Sequence, residues 1–194
     1  MVNKLPDEMD CPIDVQLYKF ISAHLHMYFN IGFTPNMITT LSILFGLLSA
    51  QQILQRHYGA AALCILISYY FDCVDGKLAR KYNMVSKFGD MYDHVGDITK
   101  IIAIVVALFV STKKISSKQW SYMSIFFLLT VLQWVHLGYQ EAIYNKSEES
   151  YILKLCRKMV DFDDNPHQTI HCTKYFGCGT WYLCFAALIF IWRK

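Results

Sequence analysis

The stretch FDCVDGKLARKYNMVSKFGDMYDHVGD, Phe71 to Asp97, decides how this chain is read. On a helix, Asp72, Asp75, Gly76 and Ala79 share one stripe, because residues three and four apart lie on one face. Gly89, Asp93 and Asp97 repeat at i, i+4 and i+8 and form a second stripe. Between them, Lys81–Phe88 carries the polar loop residues Asn83 and Ser86, and neither flanking stretch contains proline. The pattern predicts two antiparallel helices joined by a short loop, with the polar stripes aimed at each other.

Outward from this stretch the chain is apolar. Its 194 residues are 55% hydrophobic, 15% aromatic and only 17% charged, against about 25% charged in soluble domains. Disorder is excluded, since it needs high charge and few aromatics. An ordinary soluble domain fits poorly, because so small a globule cannot hide that much apolar surface. A net charge of +3 without a Lys/Arg run is too weak to argue for a nucleic-acid partner, and none is expected. Seven cysteines, an odd number with no CxxC pair, read as packing thiols and not as a disulfide scaffold.

Five apolar segments follow one another. They are Asn36 to Leu54, Tyr58 to Phe71, Ile101 to Val110, Trp120 to Tyr139 and Phe176 to Trp192. The first has the length of a span, for which about 20 residues are needed. The second and third reach that length only if 72–80 and 89–97 continue the same helices. Tyr58, Trp120, Tyr139, Trp181 and Trp192 sit near segment ends, as interfacial anchors do. Residues 1–14 read as a polar start without the basic and apolar regions of a signal peptide. Residues 15–30 read as an interfacial amphipathic helix. This divides the chain into a leading segment, 1–32, and a membrane domain, 33–194. Within the polar connection 141–175, Tyr151 to Val160 is amphipathic, either interfacial or a stunted sixth span. Asp161, Asp163, Asp164 and Pro166 predict a loop after it. The expected fold is an all-α integral membrane helix bundle of five or six transmembrane helices with an N-terminal amphipathic interfacial helix. Eleven Lys/Arg residues fall on the side of the 81–88 loop and six on the other. The positive-inside rule then puts the aspartates at the cytoplasmic face.

Four carboxylates meeting there would repel and would be costly to ionise away from water. Oxygen-only ligands suit a hard divalent cation, Mg²⁺ or Mn²⁺. Two such ions would neutralise the four acids and clamp a phosphoryl group in an in-line displacement. Gly76 and Gly89 remove side chains where a phosphate or sugar must approach the backbone. Arg80 can fork onto phosphate oxygens. The plainer alternative, surface acids paired with Lys77, Arg80, Lys81 and Lys87, suffices for any one acid. It does not account for four acids in two stripes with glycine at matched positions.

Asp72-x2-Asp75-Gly76-x2-Ala79-Arg80-x8-Gly89-x3-Asp93-x3-Asp97 resembles the complete eight-residue signature of the CDP-alcohol phosphotransferases (CDP-alcohol phosphatidyltransferases). Thr34-Pro35-Asn36-x2-Thr39 is similar to the way that family opens its first span. The resemblance is good over about residues 33–111 and rests on hydropathy elsewhere. It implies an integral membrane enzyme with a cytoplasm-facing active site. Such an enzyme binds a CDP-alcohol donor, an alcohol or lipid acceptor and two divalent metal ions, and releases CMP. By the family pattern Asp72, Asp75 and Asp93 are metal ligands. Asp97 is the general base and also touches a metal. Gly76, Ala79, Arg80 and Gly89 line the CDP site. A homodimer is common in the family. Six core spans are usual there, one more than the five apolar segments found here.

Smaller features bear on the substrate. Tyr92-Asp93-His94 is similar to the choline/ethanolamine phosphotransferase branch, which acts on diacylglycerol. Asn83 and Ser86-Lys87-Phe88-Gly89 are similar to the phosphatidylinositol synthase branch, which uses CDP-diacylglycerol. His94, His136, Gln140 and Glu141 are candidates for the acceptor site, since polar residues in a membrane helix are a functional hypothesis by default. Lys100 either neutralises phosphate or snorkels to the interface. Asp90 lies off the 89/93/97 stripe and reads as a loop-end charge. His24 with His26, and His167 with His171 and Cys172, lack a four-ligand zinc pattern. Two rival readings are a divalent-cation transporter and an inactive structural relative. The apolar first and fifth segments offer no carboxylate to continue an ion path.

Overall fold

The computed structural model describes residues 6–112, 115–144, 151–160 and 165–192, and for Tyr144 and 151–154 the backbone alone. The acidic trio Asp161, Asp163 and Asp164, and the orientation charges at 4, 113, 114, 146, 193 and 194, lie outside the described residues. The described residues contain helices, turns and no strand. In chain order the helices are α1 (Pro12–Asn30), α2 (Pro35–Leu54), α3 (Tyr58–Lys81), α4 (Lys87–Ser111), α5 (Ser117–Tyr144), α6 (Tyr151–Lys158), α7 (Pro166–Thr173) and α8 (Cys178–Ile191). A short 3-10 turn, Lys174–Phe176, joins α7 to α8. Five helical stretches are long and apolar enough to cross a membrane: α2, α3, α4, α5 and Pro166–Ile191. The protein is therefore an all-α integral membrane protein with five candidate spans.

Local chemistry explains the boundaries. Proline starts α1, α2 and α7, where the first turn has no use for its missing N–H. Thr34 caps α2, its hydroxyl accepting from the Met37 N–H at 3.4 Å. The α3 helix runs unbroken for 24 residues, about 36 Å, so the polar stretch 72–80 does continue the apolar one. It stops where Asn83 takes a left-handed φ of 55°, a conformation asparagine tolerates. Ser86 then caps α4, its Oγ accepting from the Gly89 N–H at 3.0 Å. The expected helix–loop–helix is thus present, with a tighter loop.

Three expectations are refined. Tyr151 to Val160 supplies an eight-residue helix, about 12 Å long, which is too short to cross a bilayer. The connection after it is not all loop, because Pro166 opens α7 instead of ending order. The first helix also begins three residues earlier than its apolar pattern, at Pro12. It buries Ile21 and Leu25 while leaving Phe20, Met27 and Phe29 exposed.

The chain divides into two compact units. One comprises Met1–Val2, Leu17–Tyr122 and Tyr182–Lys194; the other comprises Asn3–Gln16 and Met123–Trp181. In the first unit α2 packs against both α3 and α4. Its buried face is Ile38, Thr39, Ser42, Gly46, Ser49, Ala50 and Ile53, a stripe of mostly small residues that lets helix backbones approach. A Cβ on Gly96 of α4 would collide with Ile43, so this glycine sets the α2–α4 distance. In the second unit Tyr139, Val160 and Ile170 form a buried apolar cluster, and Trp181 donates to Thr130 Oγ1 at 2.9 Å.

Candidate active site

The loop between α3 and α4 reverses the chain, and the two aspartate stripes come to one place. One carboxylate oxygen from each of Asp72, Asp93 and Asp97 lies within 4.8 Å of the others. Asp75, one turn beyond Asp72, is buried and outside this triad; its Oδ2 accepts from Thr39 Oγ1 of α2 at 2.6 Å. The sequence reading put four acids at one site; three share this spacing, and the fourth stands beside them with one oxygen bound by the Thr39 hydroxyl.

A cation sits among these acids. Lys100, 1% exposed, places Nζ 2.9 Å from Asp72 Oδ1 and 2.7 Å from Asp97 Oδ1. The Asp72 contact is a hydrogen bond, whereas the Asp97 contact is an ion pair without hydrogen-bond alignment. Nζ also donates to Ser42 Oγ at 2.9 Å. Lys100 therefore points into the cluster and does not snorkel. Lys77, one of the cations offered as a surface partner, is buried and donates to the Tyr18 carbonyl and Ser22 Oγ of α1.

The other signature positions lie on the same two helices, α3 and α4. The Arg80 guanidinium folds back over Gly76, where a Cβ would stand 3.1 Å from Nη1. Arg80 Nε is buried without a hydrogen-bond partner. Ala79 is half-buried on the same helix. A Cβ on Gly89 would meet Asn36 Oδ1 at 3.1 Å, so this glycine admits the start of α2. His94 is half-buried, its Nδ1 2.8 Å from the Asp90 carbonyl oxygen, and Asp90 is exposed in the first turn of α4.

His136, Gln140 and Glu141 belong to the second unit. There Gln140 Nε2 donates to His136 Nε2 at 2.8 Å, and His136 Nδ1 lies 3.1 Å from Thr173 Oγ1. His136 and Glu141 are buried. Sequence reasoning did not assign α2 a part in the site, nor Tyr182, whose ring centroid lies 5.7 Å from Lys100 Nζ. The small-residue stripe Ser42, Gly46, Ser49 on α2 was the available signal.

The donor set fits a hard divalent cation. It is made of carboxylate oxygens; Asp93 Oδ1 is buried without a hydrogen-bond partner, and Asp97 Oδ1 has the Lys100 ammonium beside it but no hydrogen bond. Buried polar atoms of that kind call for a missing partner. Acidic side chains gathered on apolar spanning helices define a membrane protein with a buried polar site.

The profile of the CDP-alcohol phosphatidyltransferase family matches residues 32–156. The chain belongs to that family, whose members are transferases of phosphate groups and are generally dependent on divalent metal. It is 32% identical over 68 residues to an archaetidylinositol phosphate synthase of Pyrococcus horikoshii, covering 35% of this chain and 36% of that protein. It is 30% identical over 131 residues to a CDP-alcohol phosphatidyltransferase class-I family protein of Dictyostelium discoideum, covering 58% and 34%. The chain thus spans about a third of the length of these curated relatives. No solved structure gives a significant match.

Proposed function

We propose that this protein transfers a phosphatidyl-type group from a CDP-alcohol to the hydroxyl of a second alcohol and releases CMP. The observation that carries the reading is the carboxylate triad Asp72, Asp93 and Asp97, in which the buried Asp93 Oδ1 has no hydrogen-bond partner, set in the eight-residue signature. Asp72, Asp75, Asp93 and Asp97 would hold two divalent ions, Mg²⁺ or Mn²⁺, whose chemistry is to neutralise charge on the transferred phosphate. Arg80 forks onto the phosphate oxygens of the donor. Gly76, Ala79 and Gly89 leave room for the nucleotide beside the backbone. Asp97 accepts the proton of the acceptor hydroxyl as its oxygen bonds to phosphorus and the bond to CMP breaks.

For the donor we favour a CDP-activated glycerolipid, with a polar inositol-type alcohol as acceptor. The Pyrococcus relative is named for an archaetidylinositol phosphate product, and Ser86 stands at the N-cap of α4. The Tyr92-Asp93-His94 segment supports a second reading, CDP-choline or CDP-ethanolamine with diacylglycerol. His94 is the preferred acceptor contact. His136, Gln140 and Glu141 are the second candidate, because His136 and Gln140 already bond within the protein. Purified protein incubated with each CDP-alcohol and a panel of inositol, inositol phosphate, glycerol phosphate, serine and diacylglycerol should release CMP with an inositol-type acceptor. Release with diacylglycerol alone favours the second reading, and release with no pair refutes both.

The site faces the cytoplasm in this proposal. An Asn83→Cys variant should then react with a thiol reagent confined to that side, and labelling from the opposite side alone reverses the orientation.

A further inference from the structure

We propose that Lys100 is a positioning residue of the acidic site: a resident cation that orients Asp72 and Asp97 and competes with divalent ions for their charge. The proposal rests on the reading of the cluster as a divalent-metal site.

Its basis is how much of the fold is arranged around one ammonium group. Lys100 is 1% exposed, on a helix that leaves the apolar side chains of Ile98 and Ile102 exposed. A lysine free to snorkel would reach water; this one turns inward. Three helices supply its oxygen partners: Ser42 Oγ from α2 at 2.9 Å, Asp72 Oδ1 from α3 at 2.9 Å and Asp97 Oδ1 from α4 itself at 2.7 Å. Tyr182 of α8 offers its ring face at 5.7 Å. Ser42 is held in turn, its carbonyl accepting from Ser68 Oγ at 2.7 Å. Room for the lysine stem comes from Gly46, where a Cβ would stand 2.6 Å from the Lys100 Cβ. Burying a charge is expensive unless it is paired and hydrogen-bonded, and this one is both.

Two consequences follow. A positive charge this close repels an incoming divalent ion, so it weakens metal binding. The same contacts hold Asp72 and Asp97 in one orientation, so removing them disorders the reacting geometry. Deleting the charge therefore tightens metal binding while slowing turnover. A lysine that only filled space would not produce this split.

The full chain in lipid nanodiscs, without nucleotide, is titrated with Mn²⁺, and free Mn²⁺ is read by electron paramagnetic resonance. Lys100→Met should lower the Mn²⁺ dissociation constant by about tenfold and lower CMP release at saturating Mn²⁺ by about a hundredfold. Lys100→Arg should keep the parent's dissociation constant. Lys100→Gln, which keeps an amide donor, should lower the dissociation constant as Lys100→Met does, with a smaller loss of CMP release, and serves if that variant does not fold. An unchanged or higher dissociation constant in the neutral variants overturns the proposal. If the parent binds Mn²⁺ through Asp93 and the neutral variants match it, only the role of Lys100 falls. If the parent binds no Mn²⁺, the metal-site reading falls with it.

Discussion

Two polar clusters lie within the spanning helices, and they differ in whether their hydrogen bonds close. Around His136 the pattern is complete for the ring: Gln140 donates to one nitrogen, and Thr173 Oγ1 stands beside the other. Thr173 in turn donates to the Ile170 carbonyl at 3.4 Å. Around Asp93 and Asp97 it is incomplete: a buried Asp93 oxygen has no hydrogen-bond partner, and the Asp97 oxygen has only its ion pair with Lys100. Polar groups away from water are costly when unpaired. A closed cluster can therefore serve as internal support, whereas an open one asks for a ligand. Polarity in a membrane helix is not by itself a functional mark; unfinished polarity is the sharper one.

Breaking the open cluster should have the largest effect. Asp97→Asn should reduce CMP release about a thousandfold with folding retained, and near-normal turnover would remove its proposed role as base. Asp93→Ala should abolish the rise in melting temperature that Mg²⁺ or Mn²⁺ gives the parent protein; an undiminished rise would mean that the ions bind elsewhere.

Breaking the closed cluster should act on stability instead. His136→Phe leaves Gln140 and Thr173 without their ring partners and should cost about 1–3 kcal/mol, read as a lower melting temperature, with CMP release per folded molecule little changed. A rise in acceptor KM without loss of stability would move His136 to the acceptor site. Thr173→Val should have the smallest effect, about 1 kcal/mol, because it removes one hydroxyl from the same chain. A larger loss in this variant than in His136→Phe would show that the chain is not organised around the ring.

Much of the fold was legible because helix periodicity and apolar length are local properties. The loop between α3 and α4 could be placed from Asn83 and Ser86, and both residues act there as their chemistry requires. The eight-residue helix α6 was harder to read, since an amphipathic stretch of ten residues fits an interfacial helix and a stunted span equally well. At the candidate site, spacing alone brought Asp72, Asp93 and Asp97 together. It could not show that Thr39 would hold Asp75, because that contact joins residues 36 apart in sequence.

By itself, then, the sequence determined the two acidic stripes, the short reversal between them and the apolar lengths that carry them into a membrane. Each depends on residues within a few turns of one another. Only the tertiary structure decided that α2 forms the third wall and that Lys100 turns toward the acids. The bond from Lys100 to Ser42 spans 58 residues, and it exists because small residues on α2 let two backbones come close enough to bury a charge between them.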